Sequence, residues 1–520
     1  MSAPENPGIE VWSGTLPEDV VSFLTDSPGC GLMIRGAPGT GKTTLALQLL
    51  VALRPIMGGY YLSPRVGESM LLTHFPWLKD KAKEGEALST TDSEEGVKYD
   101  TPVDAGGEGA ARALERHELR QLEMASVGEE DALSPAAPIE GESMESALFP
   151  ELDLAYRIVE QNLPQRTAVV VDSLDALALR YRLSESRLYG ALSRDLVEAA
   201  GVALICVLEA AEAGIEYLGD GVVELSMDVV DGSRTRTMLI KKLRGRQIRR
   251  PFQPFTLVGG KIHTFDTAWE PPFTLKGIER FIRATKELEQ PPAKRPPPRP
   301  VRLLDYFVDG LDEGKSLALE LQANTPGWAR DRAELITVAW AGVSGRPALV
   351  VGPRHRTASE NRKLYGYFEH LFDNERKLRI ASFVGRGGAI PEEWVFALEG
   401  RDLVSDLSWS SIRAGASDQT PPEVVFMDMD VVEAHYGPDA VKSSGAAVVQ
   451  DLASHGATCV IVWREGFDGK RTMVNAATRH TRLLMLHGSL GYVGVQPQTP
   501  VMMLAAEPDP KEGAMLWPVF

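Results

Sequence analysis

The stretch that most constrains the fold of this chain is GLMIRGAPGTGKTTLALQLL, residues 31–50, in which a glycine-rich turn separates two apolar segments. The first segment has the composition of a short buried strand, and the apolar residues of the second recur at helical spacing. Gly36, Gly41, Lys42 and Thr43 fit the pattern G-x-x-x-x-G-K-[ST] of a phosphate-binding loop. Because a strand, this loop and a helix follow one another, the sequence predicts an α/β fold.

The residue types of this loop are those that hold a nucleotide phosphate. Glycines allow backbone N–H groups to curl around the anion at the positive end of the helix dipole. We expect the cofactors to be ATP and Mg²⁺, with Lys42 reaching the β- and γ-phosphates and Thr43 ligating the metal ion. The residues predicted to bind the nucleotide are Gly36, Ala37, Pro38, Gly39, Thr40, Gly41, Lys42, Thr43 and Thr44.

A carboxylate that positions the metal ion is expected at the end of a second buried strand. The segment RTAVVVDSLDAL supplies one, because four apolar residues precede Asp172. Asp172 is therefore the second predicted metal ligand beside Thr43. Asp175, three residues further on, is expected to be a surface or capping residue.

Composition limits the class of protein. The chain has 520 residues, a formal net charge of -17 and 43% hydrophobic residues, which predicts a globular protein of two or three domains. The acidic balance argues against a protein whose whole surface binds nucleic acid. The sequence has no apolar run of membrane-spanning length, no signal-peptide pattern at its start and only three widely spaced cysteines. We therefore expect a cytoplasmic protein without membrane contact.

The order of these segments resembles that of RecA-type ATPases. Farther along, DGVVELSMDVVDGSRTRTMLIKKLRG and RRPFQPFTLVGGKIHTF are similar to the end of a KaiC-like domain, where a strand leads to a K-x-R-G turn and a final hairpin. The resemblance covers about residues 8–266 and implies that Lys42, Thr43 and Asp172 bind Mg-ATP.

The same resemblance implies a contribution from a second subunit. Lys242 and Arg244 of the KLRG motif would reach the γ-phosphate held by a neighbouring copy, where charge develops in the transition state. The functional unit would then be a homo-oligomeric ring, with a hexamer as one form, or a filament.

The residues that prepare the attacking water depart from the KaiC-like pattern. The strand GGYYLSPRVGES ends in Ser63-Pro64-Arg65, whereas KaiC-like domains carry one or two glutamates there. Glu68 and Glu209 are the candidate replacements. Slow hydrolysis of ATP is therefore expected, and binding is the firmer prediction.

The second half of the chain repeats the pattern of the first. SLALELQANTPGWARDRAELITVAWA aligns with the phosphate-loop segment, so that Arg330 replaces the loop lysine, Asp331 the metal-binding threonine and Ala329 the second glycine. PEVVFMDMDVVEA places Asp428 opposite the metal-binding aspartate. A carboxylate at Asp331 would repel a polyanion and Trp328 would crowd its approach, so we predict neither hydrolysis nor binding of ATP there.

The predicted organisation is two tandem RecA-like domains, each a mostly parallel sheet flanked by helices, with the second degenerate. The first spans residues 1–288 and contains an acidic insertion at about 76–150, in which one exposed helix is expected. A proline-rich linker at 289–302 leads to the second domain at 303–520.

The basic segment KKLRGRQIRR, residues 241–250, admits three interpretations. It contacts ATP of a neighbouring subunit, it binds nucleic acid through its clustered cations, or it is a solvated edge. No aromatic residues alternate with its arginines, which argues against sequence-specific reading of nucleic acid.

Three functions follow from these observations. The first is a slow, oligomeric ATPase that acts as a regulatory switch. The second is a nucleotide-sensing regulator of gas vesicle synthesis that acts on a protein partner, because tandem domains with one intact loop are also similar to the GvpD family. The third is an ATPase of DNA recombination or repair.

Overall fold

The computed structural model describes most of the chain, in a series of ranges. The described residues are 16–64, 66–79, 89–90, 150–209, 214–265, 300–352, 358–366, 368, 372, 378–383, 394–415, 420–505 and 515–519. Most of the predicted insertion, with the helix expected in it, and most of the proline-rich linker lie outside these residues. By its internal contacts the chain divides into unit 1, Met1–Asp228 with Thr235–Thr264, and unit 2, Val229–Arg234 with Phe265–Phe520.

Unit 1 is built on a sheet whose described strands lie in the order β3-β2-β4-β5-β1-β6-β7-β8-β9. The strands are β1 (Cys30–Gly36), β2 (Gly58–Leu62), β3 (Ser89–Thr90), β4 (Thr167–Asp172), β5 (Ala203–Leu208), β6 (Gly221–Val230), β7 (Ser233–Leu243), β8 (Phe252–Thr256) and β9 (His263–Thr264). From β3 to β6 neighbouring strands are parallel, and β8 pairs antiparallel with β7 and β9.

Helices cover both faces of this sheet. They are α1 (Glu18–Asp26), α2 (Lys42–Leu53), α3 (Glu68–His74), α4 (Pro150–Asn162), α5 (Leu174–Arg180) and α6 (Glu185–Leu192), which continues as the π-helical turn Ser193–Ala199. Short 3-10 turns lie at Ile215–Tyr217 and Val258–Gly260. All six residues of β4 and of β5 are buried, which explains why these strands are continuous apolar runs rather than alternating ones.

Unit 2 is built on a second sheet, with the described strands in the order β10-β20-β19-β18-β17-β11-β16-β15-β12-β13-β14. The strands are β10 (Val301–Arg302), β11 (Ser316–Leu321), β12 (Ala348–Val351), β13 (Leu378–Phe383), β14 (Val395–Leu398), β15 (Val424–Asp428), β16 (Thr458–Arg464), β17 (Arg479–Leu486), β18 (Ser489–Gln496), β19 (Gln498–Ala505) and β20 (Met515–Pro518). From β14 to β17 neighbouring strands are parallel, and the remaining pairs are antiparallel.

The described helices of unit 2 again pack on its sheet. They are α7 (Leu303–Val308), α8 (Gly327–Val343), α9 (Ala358–Gly366), α10 (Leu403–Leu407), α11 (Trp409–Ala414), α12 (Met429–Tyr436), α13 (Pro438–Ala440), α14 (Ala446–Ser454) and α15 (Lys470–Ala476), with a π-helical turn at Val441–Gly445. Two apolar layers form the core of this unit, one on each face of the sheet. Both units are thus α/β, with mostly parallel sheets flanked by helices, as the sequence predicts.

The two sheets share an internal order. Eight strands run β3-β2-β4-β5-β1-β6-β7-β8 in unit 1 and β13-β12-β15-β16-β11-β17-β18-β19 in unit 2, with corresponding strands in corresponding places. The register agrees as well, because Asp172 pairs with Val207 of β5 and Asp428 pairs with Val462 of β16. Asp172 and Asp428 therefore end equivalent strands.

None of the helices in the described ranges combines the length and the apolar character needed to cross a membrane.

Candidate nucleotide-binding site

The glycine-rich loop of unit 1 joins the end of β1 at Gly36 to the start of α2 at Lys42. Gly39 has φ 76° and Gly41 has φ 106°, backbone conformations that residues other than glycine rarely adopt. A Cβ atom on Gly36 would lie 2.2 Å from the carbonyl oxygen of Leu225. Glycine is therefore required at these turns by the backbone itself.

Hydrogen bonds inside the loop and one arginine outside it hold its shape. The Thr40 hydroxyl donates to the carbonyl oxygen of Ala37 at 2.9 Å, which closes the turn. The buried Arg236 of β7 donates from Nη1 to the carbonyl oxygen of Gly39 at 2.7 Å. Arg236 thus fixes the tip of the loop from the neighbouring part of the sheet.

The Lys42 side chain is buried under the loop. Its ammonium donates to the carbonyl oxygens of Gly36 at 2.8 Å and Ala37 at 3.0 Å. Burial lowers the pKa of Lys42, and the carboxylates of Glu209, Asp172 and Asp175 oppose that shift. The predicted phosphate-binding lysine therefore lies close to acidic groups from two strand ends and a helix.

Asp172 ends β4 and is buried next to Thr43. It accepts hydrogen bonds from the Thr43 hydroxyl and, at Oδ2, from the Tyr61 hydroxyl at 2.9 Å. Burial raises the pKa of Asp172, while these two hydrogen bonds and the charge of Lys42 act in the opposite direction. A hydroxyl and a carboxylate are hard oxygen donors of the kind that Mg²⁺ takes beside nucleotide phosphates, so the two predicted metal ligands fit this ion.

The candidate general bases differ in their placement. Glu209 follows β5 at an exposed position, and its backbone N–H donates to Oδ1 of Asp175 at 3.2 Å. Asp175, expected at the surface, is half-buried in the first turn of α5. Its hydrogen bond connects the start of α5 to the end of β5. Glu68 begins α3, and its side chain lies outside the described residues.

Lys242 and Arg244 lie at the edge of the sheet opposite the phosphate loop, where strand β1 begins. Lys242 Nζ donates to the carbonyl oxygen of Gly219 at 2.6 Å, and Arg244 Nη1 pairs with Asp220 at 3.1 Å. Asp220 in turn accepts from the backbone N–H of Gly31, at the start of β1, whereas the phosphate loop leaves the end of that strand. Within one chain these two cations therefore do not face the loop.

The cations of the basic segment have partners within unit 1. Lys241 pairs with Glu224 at 2.5 Å, Arg246 with Asp26 at 3.1 Å and Arg249 with Glu18 at 3.4 Å. Together with the contacts of Lys242 and Arg244, these pairs offset much of the positive charge that the sequence concentrates here.

Unit 2 replaces the glycine turn with helix. Pro326 is the N-cap residue of α8, and the segment from Gly327 to Arg330 is helical. The corresponding segment of unit 1 contains the glycines with positive φ angles. Arg330 Nη1 forms an ion pair with Oδ2 of Asp428 at 3.0 Å. Trp328 packs against the core and stacks with Arg332 at 5.1 Å, rather than standing over an open loop.

The environment of Asp428 differs from that of its counterpart in unit 1. Its carboxylate is fully buried, and burial raises its pKa to about 6 although the Arg330 guanidinium lowers it. Oδ1 also caps α12 by accepting from the backbone N–H of Asp430 at 3.2 Å. The residues of unit 2 that correspond to Lys42 and Asp172 thus form an ion pair with each other.

The fold and this site define an α/β protein with a P-loop domain, a class that binds nucleotides, typically with Mg²⁺. Residues 20–104 match the family model described as GvpD gas vesicle protein, P-loop domain. The chain is 29% identical over 291 residues to Protein GvpD2 of Halobacterium salinarum, covering 52% of this chain and 51% of that protein. It is 28% identical over 249 residues to Protein GvpD1 of the same organism, covering 47% and 40%. The chain thus spans about half the length of these relatives or less.

Two residues of the site were not identified from the sequence. Tyr61 is buried in a strand of apolar residues, where a tyrosine reads as core, and Arg236 is one of several cations in β7. The register of the strands brings both to the phosphate loop.

Proposed function

We propose that unit 1 binds Mg-ATP and that the chain acts as a nucleotide-sensing regulator, similar to the GvpD proteins, with slow turnover of the bound nucleotide. The observation that carries the proposal is the convergence of Lys42, Thr43 and Asp172 at one glycine-built loop. The Lys42 ammonium would hold the β- and γ-phosphates, and Thr43 with Asp172 would hold the metal ion that offsets their charge.

Slow turnover is supported by the end of β2. The chain continues there as Ser63-Pro64-Arg65, where a KaiC-like domain has one or two glutamates, and the Ser63 hydroxyl oxygen accepts from the backbone N–H of Val66 at 3.2 Å. Glu209, the exposed carboxylate beside Lys42, is the group that we propose to orient water.

A tandem RecA-like arrangement and an oligomeric state are also part of the proposal. The shared strand order of the two sheets supports an internal duplication. Arg244 has a side chain 78% exposed at the edge opposite the loop, where a neighbouring copy could receive it. The partner that a regulator would act on is proposed to be a protein.

A role in DNA recombination or repair receives less support. Nucleic acid is bound through cations that are free to replace counterions, and the basic segment is largely paired with carboxylates of its own unit. DNA should therefore leave the rate of ATP turnover unchanged.

Binding of a fluorescent ATP analogue, followed with and without Mg²⁺, tests the proposed function. Lys42→Ala should weaken binding by roughly 100-fold or more, since several charge-assisted hydrogen bonds are lost together. Arg332→Ala, which removes a cation from the corresponding helix of unit 2, is the matched control and should leave binding unchanged. Wild-type affinity in Lys42→Ala would refute the site. Turnover measured on the same samples should be slow, and a fast rate would contradict the sensor.

A further inference from the structure

The hydrogen bond between Tyr61 and Asp172 has no role in the site as described so far. The Tyr61 hydroxyl donates to Oδ2 of Asp172 at 2.9 Å, with Tyr61 only 2% and Asp172 9% exposed. Tyr61 lies on β2 opposite Val170 of β4, two residues before the carboxylate. The ring is part of the apolar layer that includes α2, so its hydroxyl is held in place by packing.

Two hydroxyls from different elements therefore approach the same carboxylate. Tyr61 comes from β2 and Thr43 from the first turn of α2. Both are neutral donors, so they fix the orientation of Asp172 without cancelling its negative charge. A carboxylate that must still bind a cation needs this combination of fixed geometry and retained charge.

The equivalent carboxylate of unit 2, Asp428, has neither of these hydroxyl donors at the corresponding positions. The register of β2 on β4 and of β12 on β15 places Val350 where unit 1 has Tyr61. Asp428 is contacted there by the Arg330 guanidinium, which offsets its charge. The tyrosine thus occurs beside the carboxylate that two hydroxyls contact, and an apolar residue takes its place beside the carboxylate that forms an ion pair.

We propose that Tyr61 is a positioning residue for the metal-binding carboxylate, holding Asp172 so that it and Thr43 bind the divalent cation of a bound nucleotide. This assignment rests on the proposed Mg-nucleotide function of unit 1. It predicts that the hydroxyl of Tyr61 matters for Mg²⁺ and not for the nucleotide alone.

Tyr61→Phe tests the assignment in the full-length chain. A fluorescent ATP analogue is titrated in EDTA, and then Mg²⁺ is titrated at fixed nucleotide. Loss of an outer hydrogen bond to a metal ligand typically costs 10–100-fold in metal affinity, so the half-saturating Mg²⁺ concentration should rise by about 10-fold. The affinity measured in EDTA should stay within about twofold of the wild type, because no phosphate contact is removed.

Tyr156→Phe is the matched control. The Tyr156 hydroxyl donates to Oδ2 of Asp195 at 2.8 Å, and both residues are buried in unit 1 on the other face of the sheet. This variant loses the same kind of hydrogen bond and should show the wild-type dependence on Mg²⁺. Thermal unfolding of both variants shows whether they are equally folded.

Asp172→Asn provides a second route to the answer. If Tyr61 acts only through Asp172, adding Tyr61→Phe to Asp172→Asn should cause no further loss of Mg²⁺ affinity. An unchanged Mg²⁺ titration in Tyr61→Phe, an equal shift in Tyr156→Phe, or equal losses in EDTA and in Mg²⁺ would each overturn the assignment. Failure of the wild-type chain to bind nucleotide at all would instead overturn the proposed function.

Discussion

The two units end equivalent strands in an aspartate, yet surround it in opposite ways. Asp172 receives two neutral hydroxyls and lies near the Lys42 ammonium, which is bonded to loop carbonyls rather than to the carboxylate. Asp428 forms an ion pair with the Arg330 guanidinium. The same fold thus holds one carboxylate through neutral hydroxyls, which leave its charge free to bind a cation, and another in an ion pair with an arginine.

The backbone beside these two carboxylates also differs between the units. In unit 1 Gly39 and Gly41 have positive φ angles, and loops with such residues can present successive backbone N–H groups to an anion. In unit 2 the segment that begins at Gly327 is already the first turn of α8. A helical turn cannot form a phosphate-binding loop, so the absence of ATP binding that we predict for unit 2 involves the backbone as well as the side chains.

The largest effect should come from Arg330→Met. Removal of one partner from a buried ion pair leaves the buried Asp428 carboxylate uncompensated and typically destabilises by about 3–5 kcal/mol. Asp172→Asn should cost far less stability, because it removes a carboxylate whose burial is itself unfavourable. Urea unfolding of the two variants measures the difference, and equal losses would show that the two carboxylates are not distinct in this way.

A double variant provides the control for that prediction. Arg330→Met with Asp428→Leu removes both charges, and replacement of a buried pair by apolar groups is often neutral or stabilising. The double variant should therefore be more stable than Arg330→Met alone. It should also bind ATP at unit 1 with wild-type affinity.

Sequence reasoning gave the class of fold and the loop because both depend on local patterns. Gly36 and Lys42 lie within one short segment, and the apolar run before Asp172 predicts a buried strand without knowledge of the sheet. The strand register, by contrast, depends on pairing between residues far apart in sequence. For that reason the sequence did not distinguish Tyr61 from a core residue, and it did not show that Arg330 forms an ion pair with Asp428.

The pH dependence of stability should reveal the buried carboxylate of unit 2. Asp428 has a pKa of about 6 in the fold, above the ordinary value of 3.8, so the folded state holds the proton more tightly. Its contribution to stability is therefore present below about pH 4 and is lost as pH rises through about 6, by at most about 3 kcal/mol.

The comparison with Asp428→Asn isolates this group. As pH falls from 7 to 5, the wild type should gain stability relative to the variant, as measured by urea midpoints. Glu320 acts the other way only at lower pH, because hydrogen bonds from His480 and Lys470 outweigh burial and lower its pKa to about 2. A parallel pH profile in the two proteins would contradict the prediction.

A smaller effect is expected from Arg236→Met, which frees the tip of the unit 1 loop. One charge-assisted hydrogen bond to Gly39 is lost, so nucleotide affinity should fall by about 10-fold. The loss should be the same in EDTA and in Mg²⁺, unlike that of Tyr61→Phe. Arg234→Met, at an exposed position of the same strand, is the control and should bind like the wild type.

The smallest effect on a single chain should come from Arg244→Ala. The Arg244 side chain is 78% exposed, and ion pairs of exposed side chains contribute little to stability. Because Arg244 lies at the edge opposite the loop, nucleotide affinity at low protein concentration should not change. Arg249→Ala is the control, since Arg249 is 70% exposed in the same segment and pairs with Glu18.

The contact between subunits is where Arg244 should matter. If it reaches the nucleotide of a neighbouring copy, Arg244→Ala should reduce Mg-ATP-dependent assembly or turnover, while Arg249→Ala should reduce neither. Sedimentation with and without Mg-ATP over a range of protein concentrations measures both. Full turnover by the wild-type monomer would exclude a role in trans, and equal effects of the two variants would identify the segment as a solvated edge. Either result would leave the contrast between Asp172 and Asp428 intact, because that contrast depends only on contacts within each unit.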